Sequence, residues 1–181
     1  MKKTIIIFFI IAATQFFSCA GITINKKTNA FNSKIFLAFF DNKTVKSGVN
    51  EILTEYLKDI FISSDSAKLL NKRDADYFVT GEIKEYTVTV ESHSDKEIVE
   101  MYSLKIIAGI NIKKRNQSGE PVDIYSFDCS DKFFFTETSS ITESEKKAID
   151  ESCRKLAYKI FDKIRQAVKD DEEKNGGRAG R

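Results

Sequence analysis

Few side chains in this sequence are equipped for chemistry, and they are scattered. Two carboxylate pairs, Glu82 with Glu85 and Asp74 with Asp76, have the composition that glycosidic hydrolysis needs, one acid to protonate and one base or nucleophile to attack. Read locally, the first pair is the solvent edge of a strand and the second belongs to a turn. The single histidine, His93, lies in the polar stretch Ser92 to Lys96 and reads as a solvated loop residue. One histidine excludes most zinc sites and most Ser or Cys triads. There is no phosphate-cradling GxxxxGKS/T, no HExxH, no CxxC pair and no GxSxG elbow. The expectation is therefore a protein that is not an enzyme and that uses no metal and no cofactor. Lys113, Lys114 and Arg115, with Lys105 on the exposed face of the preceding strand, concentrate positive charge. Such a cluster either discourages edge aggregation or attracts the phosphates of an anionic glycolipid.

Cys19 offers a different chemistry, acylation of its thiol. Lys2 and Lys3 precede an unbroken apolar run from Ile5 to Ala13, the n-region and h-region of a signal peptide spanning residues 1–18. A bilayer-spanning helix needs about 20 apolar residues, so this run is too short to be one. A Cys directly after a small residue, here Ser18, is where a lipoprotein is cleaved and acylated. The stretch resembles a bacterial lipobox, with Phe16 and Phe17 standing where Leu and a small residue are common. The competing reading is ordinary cleavage after Ala20, with Ser18 and Ala20 as the small pair, which yields a soluble protein. On the first reading, residues 19–33 are a polar, lipidated tether that holds the protein to a membrane. Cys129 and Cys153 are then an even pair in an oxidising compartment, able either to bridge or to serve as buried apolar residues.

Those residues need a scaffold, and the 181-residue chain has room for one domain, expected over 34–168. Hydrophobic residues at 41% and charged residues at 31% are globular proportions, and fifteen Phe and six Tyr supply core volume. The 29 basic residues include Lys2 and Lys3, so after export the rest equal the 27 acidic residues. That balance gives no reason to expect nucleic acid as a partner.

Lys34 to Phe40 reads as a buried strand. Val49, Ile52, Leu53, Tyr56, Leu57, Ile60 and Phe61 recur at helical spacing, with Ser47 placed to cap. Ala67 to Leu70 is a short additional strand and Asn71 to Asp74 a turn. Asp76 to Glu91 is a long strand whose apolar phase changes parity near Glu85, as a one-residue bulge produces. Tyr102 to Ile112 alternates cleanly, and Val122 to Thr136 places Tyr125, Phe127, Cys129, Phe133 and Phe135 on one face. Thr142 or Ser144 caps a final helix with the stripe Ile149, Cys153, Leu156, Ile160, Ile164 and Val168. Lys169 to Arg181 is charged and Gly-rich, the composition of a disordered tail. The fold class is α+β: a mostly antiparallel sheet of about four strands in β-α-β-β-β-α order, or one more with the extra short strand, and both helices on one face.

The segments Phe40-Asp41-Asn42-Lys43-Thr44, closing a strand before an amphipathic helix, and Ala75-Asp76-Tyr77-Phe78-Val79-Thr80-Gly81-Glu82-Ile83, opening the meander, resemble the LPS-assembly lipoprotein family LptE. The resemblance covers about 34–168. It implies a non-enzymatic lipoprotein on the periplasmic face of the outer membrane, plugging the lumen of the β-barrel translocon LptD and helping to deliver lipopolysaccharide. Ala20 after Cys19 gives no acidic inner-membrane retention cue, in keeping with that address. The contact residues proposed for lipopolysaccharide or another anionic glycolipid, Lys105, Lys113, Lys114 and Arg115, are chosen from local charge. A lipoprotein that activates a peptidoglycan synthase is the alternative; it usually needs a longer linker than residues 20–33 provide.

Overall fold

The computed structural model describes residues 33–64, 67–93, 99–137 and 140–176. The signal segment, Cys19 and the tether up to Asn32 lie outside the described residues, as do residues 177–181 of the tail. The chain runs β1 (Ser33–Leu37), β2 (Asp41–Asn42), α1 (Val49–Ser63), β3 (Ala67–Leu69), β4 (Tyr77–His93), β5 (Val99–Arg115), β6 (Pro121–Phe135), α2 (Ile141–Gly176).

The sheet is mixed and six-stranded, which corrects the expectation of a mostly antiparallel sheet of about four strands. The spatial order is β3-β1-β4-β5-β6, with β2 pairing beside β1 on β4. β4, β5 and β6 form the expected antiparallel meander. β1 pairs in parallel with both β3 and β4, and β2 pairs in parallel with β4. The cause is connectivity: β1 reaches β3 through the helix α1, and a helical crossover returns the chain in the same direction.

The expected strand from Lys34 to Phe40 is broken. β1 stops at Leu37 because the backbone of Phe40 is satisfied by α1 instead of by the sheet. Its N–H donates to Thr54 Oγ1 at 3.3 Å and its carbonyl accepts from Asn50 Nδ2 at 2.9 Å. This turns the Phe40 ring inward over Gly81, where a Cβ would stand 2.7 Å from the ring, while Phe39 is left exposed. Gly81 therefore admits an aromatic ring that no other residue would allow so close.

The bulge is present. Pairing with β5 slips between Ile83 and Glu85, leaving Lys84 extra, and Tyr86, Val88 and Val90 thereby stay on the side of the sheet that carries Tyr77, Val79 and Ile83. That side meets both helices. Leu53, Leu57 and Phe61 of α1, Cys153, Leu156, Ile160 and Ile164 of α2, and Leu104, Ile106, Ala108, Ile110 and Ile112 of β5 form one buried cluster. Phe61 and Phe161 join the helices edge to face, with centroids 4.9 Å apart. Each large aliphatic side chain buried there contributes about 1.5–3 kcal/mol.

Both helix starts differ from expectation. Gly48, at φ 84°, occupies the N-cap of α1 with no side-chain cap, in place of Ser47. For α2 the cap is Ser140, whose Oγ accepts from the Glu143 N–H at 3.2 Å, one turn ahead of Ser144. α2 also continues past Val168 to Gly176, so residues 169–176 are helix and not disordered tail. Two anchors hold that extension: Asp171 accepts from Tyr77 Oη at 2.8 Å, and Glu172 accepts from Ser33 Oγ.

Candidate functional site

With the inner side of the sheet spent on the core, the outer side of β4, β5 and β6 faces away from the helices. Strand alternation puts Thr80, Glu82, Glu85, Thr87, Lys105, Asn111, Lys113, Ser126, Asp128, Ser130 and Lys132 there. Cross-strand ion pairs tile it: Lys84 to Asp128 at 2.7 Å, Lys105 to Glu85 at 3.0 Å, Lys113 to Asp123 at 3.4 Å and Lys132 to Glu91 at 2.9 Å. The hydrogen bond from Lys105, with its positive charge, holds the Glu85 carboxyl below the ordinary carboxylate range. Ser103 first, then Lys132, does the same for Glu91. These pairs are solvent-exposed and screened by water, so each adds little to stability. Their effect is a hydrophilic, charge-balanced surface.

At its centre Gly109 carries no side chain, and the face sinks into an open depression of about 600 Å³ bordered by Asp41, Thr80, Glu82, Asn111 and Asp128. Lys84, the bulge residue, lies across Gly109 to reach Asp128; a Cβ on Gly109 would stand 2.3 Å from its Cε. The bulge and the glycine together let this lysine cross a strand.

The four cations singled out for glycolipid contact are not brought together. Lys105 and Lys113 project from the outer face. Lys114 points the other way and pairs with Asp171 of α2, its ammonium 5.5 Å from the Tyr77 ring centroid. Arg115 clamps the turn before β4, donating to the carbonyls of Lys72 at 2.7 Å, Ala75 at 3.0 Å and Gly119 at 3.1 Å, and covering the Phe78 ring at 5.0 Å. Their charge was legible in the sequence; that β5 runs on through Arg115, so that Lys113, Lys114 and Arg115 alternate between its faces, was not.

The remaining candidates take structural places. Glu82 and Glu85 lie on the outer face, and Asp74 and Asp76 in or beside the turn, where the Asp76 carbonyl accepts from the Arg115 N–H at 2.8 Å. His93 ends β4 opposite Val99. Cys129 and Cys153 both point inward, as expected, and stand as free buried thiols. Burial pushes Cys129 up and Cys153 up to about 12, so neither is a ready nucleophile.

Two networks, neither legible in the local sequence pattern, fix α2 to the sheet. Near its start, Glu145 accepts from Tyr86 Oη and from Lys46 Nζ at 2.9 Å. Near its end, Asp171 accepts from Tyr77 and Lys114. Each site joins a tyrosine of β4, a lysine and a carboxylate of α2. Desolvation works against ionisation of both carboxylates, but the hydrogen bonds and the lysine charge outweigh it and lower both pKa values. The same carboxylates, with burial as the larger cause, push Tyr77 and Tyr86 far up.

Fold and surface together define a small α+β domain that offers a broad polar sheet while its helices cover the other side. The family model described as LptE, lipopolysaccharide-assembly, matches residues 33–164, and the chain belongs to that family, a non-enzymatic lipoprotein family. Among solved structures it is similar to the protein XCC0632 of Xanthomonas campestris, at 9% identity and a TM-score of 0.62 over 78% of this chain and 89% of that one. It is also similar to the protein CT253 of Chlamydia trachomatis, at 11% identity and a TM-score of 0.58 over 76% and 98%. Rare lipoprotein B of Shewanella oneidensis aligns at 10% identity and a TM-score of 0.52 over 77% and 99%. These likenesses concern the fold. No curated protein matches the sequence. Among the described residues no helix is long and apolar enough to cross a membrane, and no group of three metal-binding side chains forms.

Proposed function

We propose that this chain is an outer-membrane lipoprotein of the lipopolysaccharide-assembly machinery, anchored through Cys19 and acting as plug and partner of an LptD-like β-barrel. The observation that carries the reading, given the family, is the outer sheet face. A hydrophilic surface of balanced ion pairs suits the polar, wet interior of a large barrel. Its lysines and carboxylates are exposed enough to exchange partners with groups on an opposing wall.

Within this reading Lys105 and Lys113 are the cations available to the phosphates of lipopolysaccharide or another anionic glycolipid. Lys114 and Arg115 support them by fixing the end of β5. Replacing Lys105 and Lys113 with alanine is expected to lower glycolipid recovery in a pull-down while the fold is retained. Unchanged recovery after alanine replacement of all four cations removes the assignment.

Co-purification from detergent-solubilised outer membrane tests the main claim. A large β-barrel protein is the expected partner, and recovery of a penicillin-binding protein in its place overturns the reading in favour of cell-wall synthase activation. Cys19→Ala should release the chain from the membrane fraction. A variant that still fractionates with membrane lipid rules out the thiol anchor.

A further inference from the structure

β6 ends the sheet, hydrogen-bonded to β5 on one side only. It is 15 residues long and carries Ile124-Tyr125 and Phe133-Phe134-Phe135, the kind of extended apolar edge that templates pairing with another chain. Four features oppose such pairing. Pro121 opens it, removing one donor. A bulge between the Ile112 and Lys113 pairings leaves Ile124 without a partner on β5. Asp131 points inward and is buried, held by Ser152 Oγ at 3.0 Å. The fourth is a row of lysines on α2.

Lys155, Lys159 and Lys163 recur at intervals of four and so share one ridge of the helix, which packs alongside β6. Lys155 Nζ sits 4.7 Å from the Phe133 ring centroid, and Lys163 Nζ 4.9 Å from that of Phe127. Lys159 donates to Asp131 Oδ1 at 2.6 Å and to the Ser130 carbonyl at 3.2 Å, and Lys163 to the Asp128 carbonyl at 3.3 Å. Carbonyls two residues apart on a strand point the same way, here toward the lysines and away from β5. The ammonium groups therefore occupy the acceptors that an added strand would use.

We propose that this lysine row closes the β6 edge against a second copy of the chain. The edge is complementary to itself. In an antiparallel pairing about a two-fold axis at Ser130, Asp128 of one copy would oppose Lys132 of the other on the outer face, twice over. Opening the row exposes outward carbonyls, unpaired N–H groups and an electrostatic match in one place.

The test uses the full chain in detergent, followed by light scattering across a concentration series. Wild type and Lys159→Arg/Lys163→Arg are expected to stay monomeric. Lys159→Ala/Lys163→Ala is expected to double its mass with rising concentration. Facing residues in a hydrogen-bonded antiparallel pair have Cα atoms about 5.5 Å apart, which suits a disulfide. Ser130→Cys should then cross-link under oxidation in the double-alanine background and not in wild type. A folded double-alanine variant that stays monomeric at all concentrations overturns the proposal, as does equal cross-linking with both lysines present. Losing Lys159 leaves Asp131 with fewer partners; if circular dichroism shows that the double variant has unfolded, Lys163→Ala alone, with Ser130→Cys, decides. Cross-linking above wild type supports the proposal and none sinks it.

Discussion

At the scale of single residues, the tightest constraint lies where Phe40 meets Gly81. The ring fills the space a side chain at 81 would need, and both backbone groups of Phe40 are already committed to Thr54 and Asn50, so the ring cannot swing away cheaply. Gly81→Ala is expected to cost about 1–3 kcal/mol by overpacking, read as a lower urea midpoint with unchanged slope; an unchanged midpoint would show that the ring yields freely. That Gly81 lies within a strand was legible in the sequence. What approaches it was not, because Phe40 looked like the end of a strand, and only the polar groups of α1 divert it. Arg115 teaches a related lesson. Its charge invited a ligand, but four carbonyls converge on its guanidinium, three of them from the distant turn that holds Lys72, Arg73 and Ala75, and convergence of that kind leaves no trace in a local pattern.

At the scale of elements, the apolar periods of α1, β4, β5, β6 and α2 located each of these, and even the bulge in β4 showed as a change of parity. Pairing partners were less visible, since alternation says which face is buried and nothing about which strand lies alongside. The strand-helix-strand order at the start was the available signal for parallel pairing. The true extent of α2 was hidden because residues 169–176 have a solvated composition and are held through polar contacts of Asp171 and Glu172. Those contacts make the docking of α2 sensitive to pH. Glu145 and Asp171 have lowered pKa values in the folded state, so their contribution is complete above the ordinary carboxylate range of about 4 and is lost as pH falls through the folded values below it. Urea denaturation from pH 7 down to about 2 should show this loss. Glu145→Gln/Asp171→Asn should be less stable than wild type by about 1–3 kcal/mol at neutral pH and converge with it in acid. Parallel pH curves for the two proteins would remove these carboxylates from the account.

At the scale of the whole molecule, stability and recognition are placed on opposite sides of one sheet. The inner side carries the shared core, and the outer side carries ion pairs that contribute little to it. Neutralising Lys84, Lys105 and Lys113 to glutamine should accordingly lower the melting temperature by only a few degrees, since solvent screens exposed pairs and leaves them little net stability to lose. The same triple variant should lose most of its recovery with a barrel partner. A large drop in melting temperature with undiminished recovery would reverse the division of labour.

The position of β1 has a mechanical consequence. Any load that enters the domain through its N-terminus arrives first at Ser33, and the strand beginning there lies between β3 and β4 while Ser33 is itself tied to Glu172. Tension is thus taken up along both margins of the strand at once and passed to the end of α2. A strand gripped from both sides has to slide before it can come free, whereas an outermost strand would peel off one bond at a time. The domain is built to be held by that end.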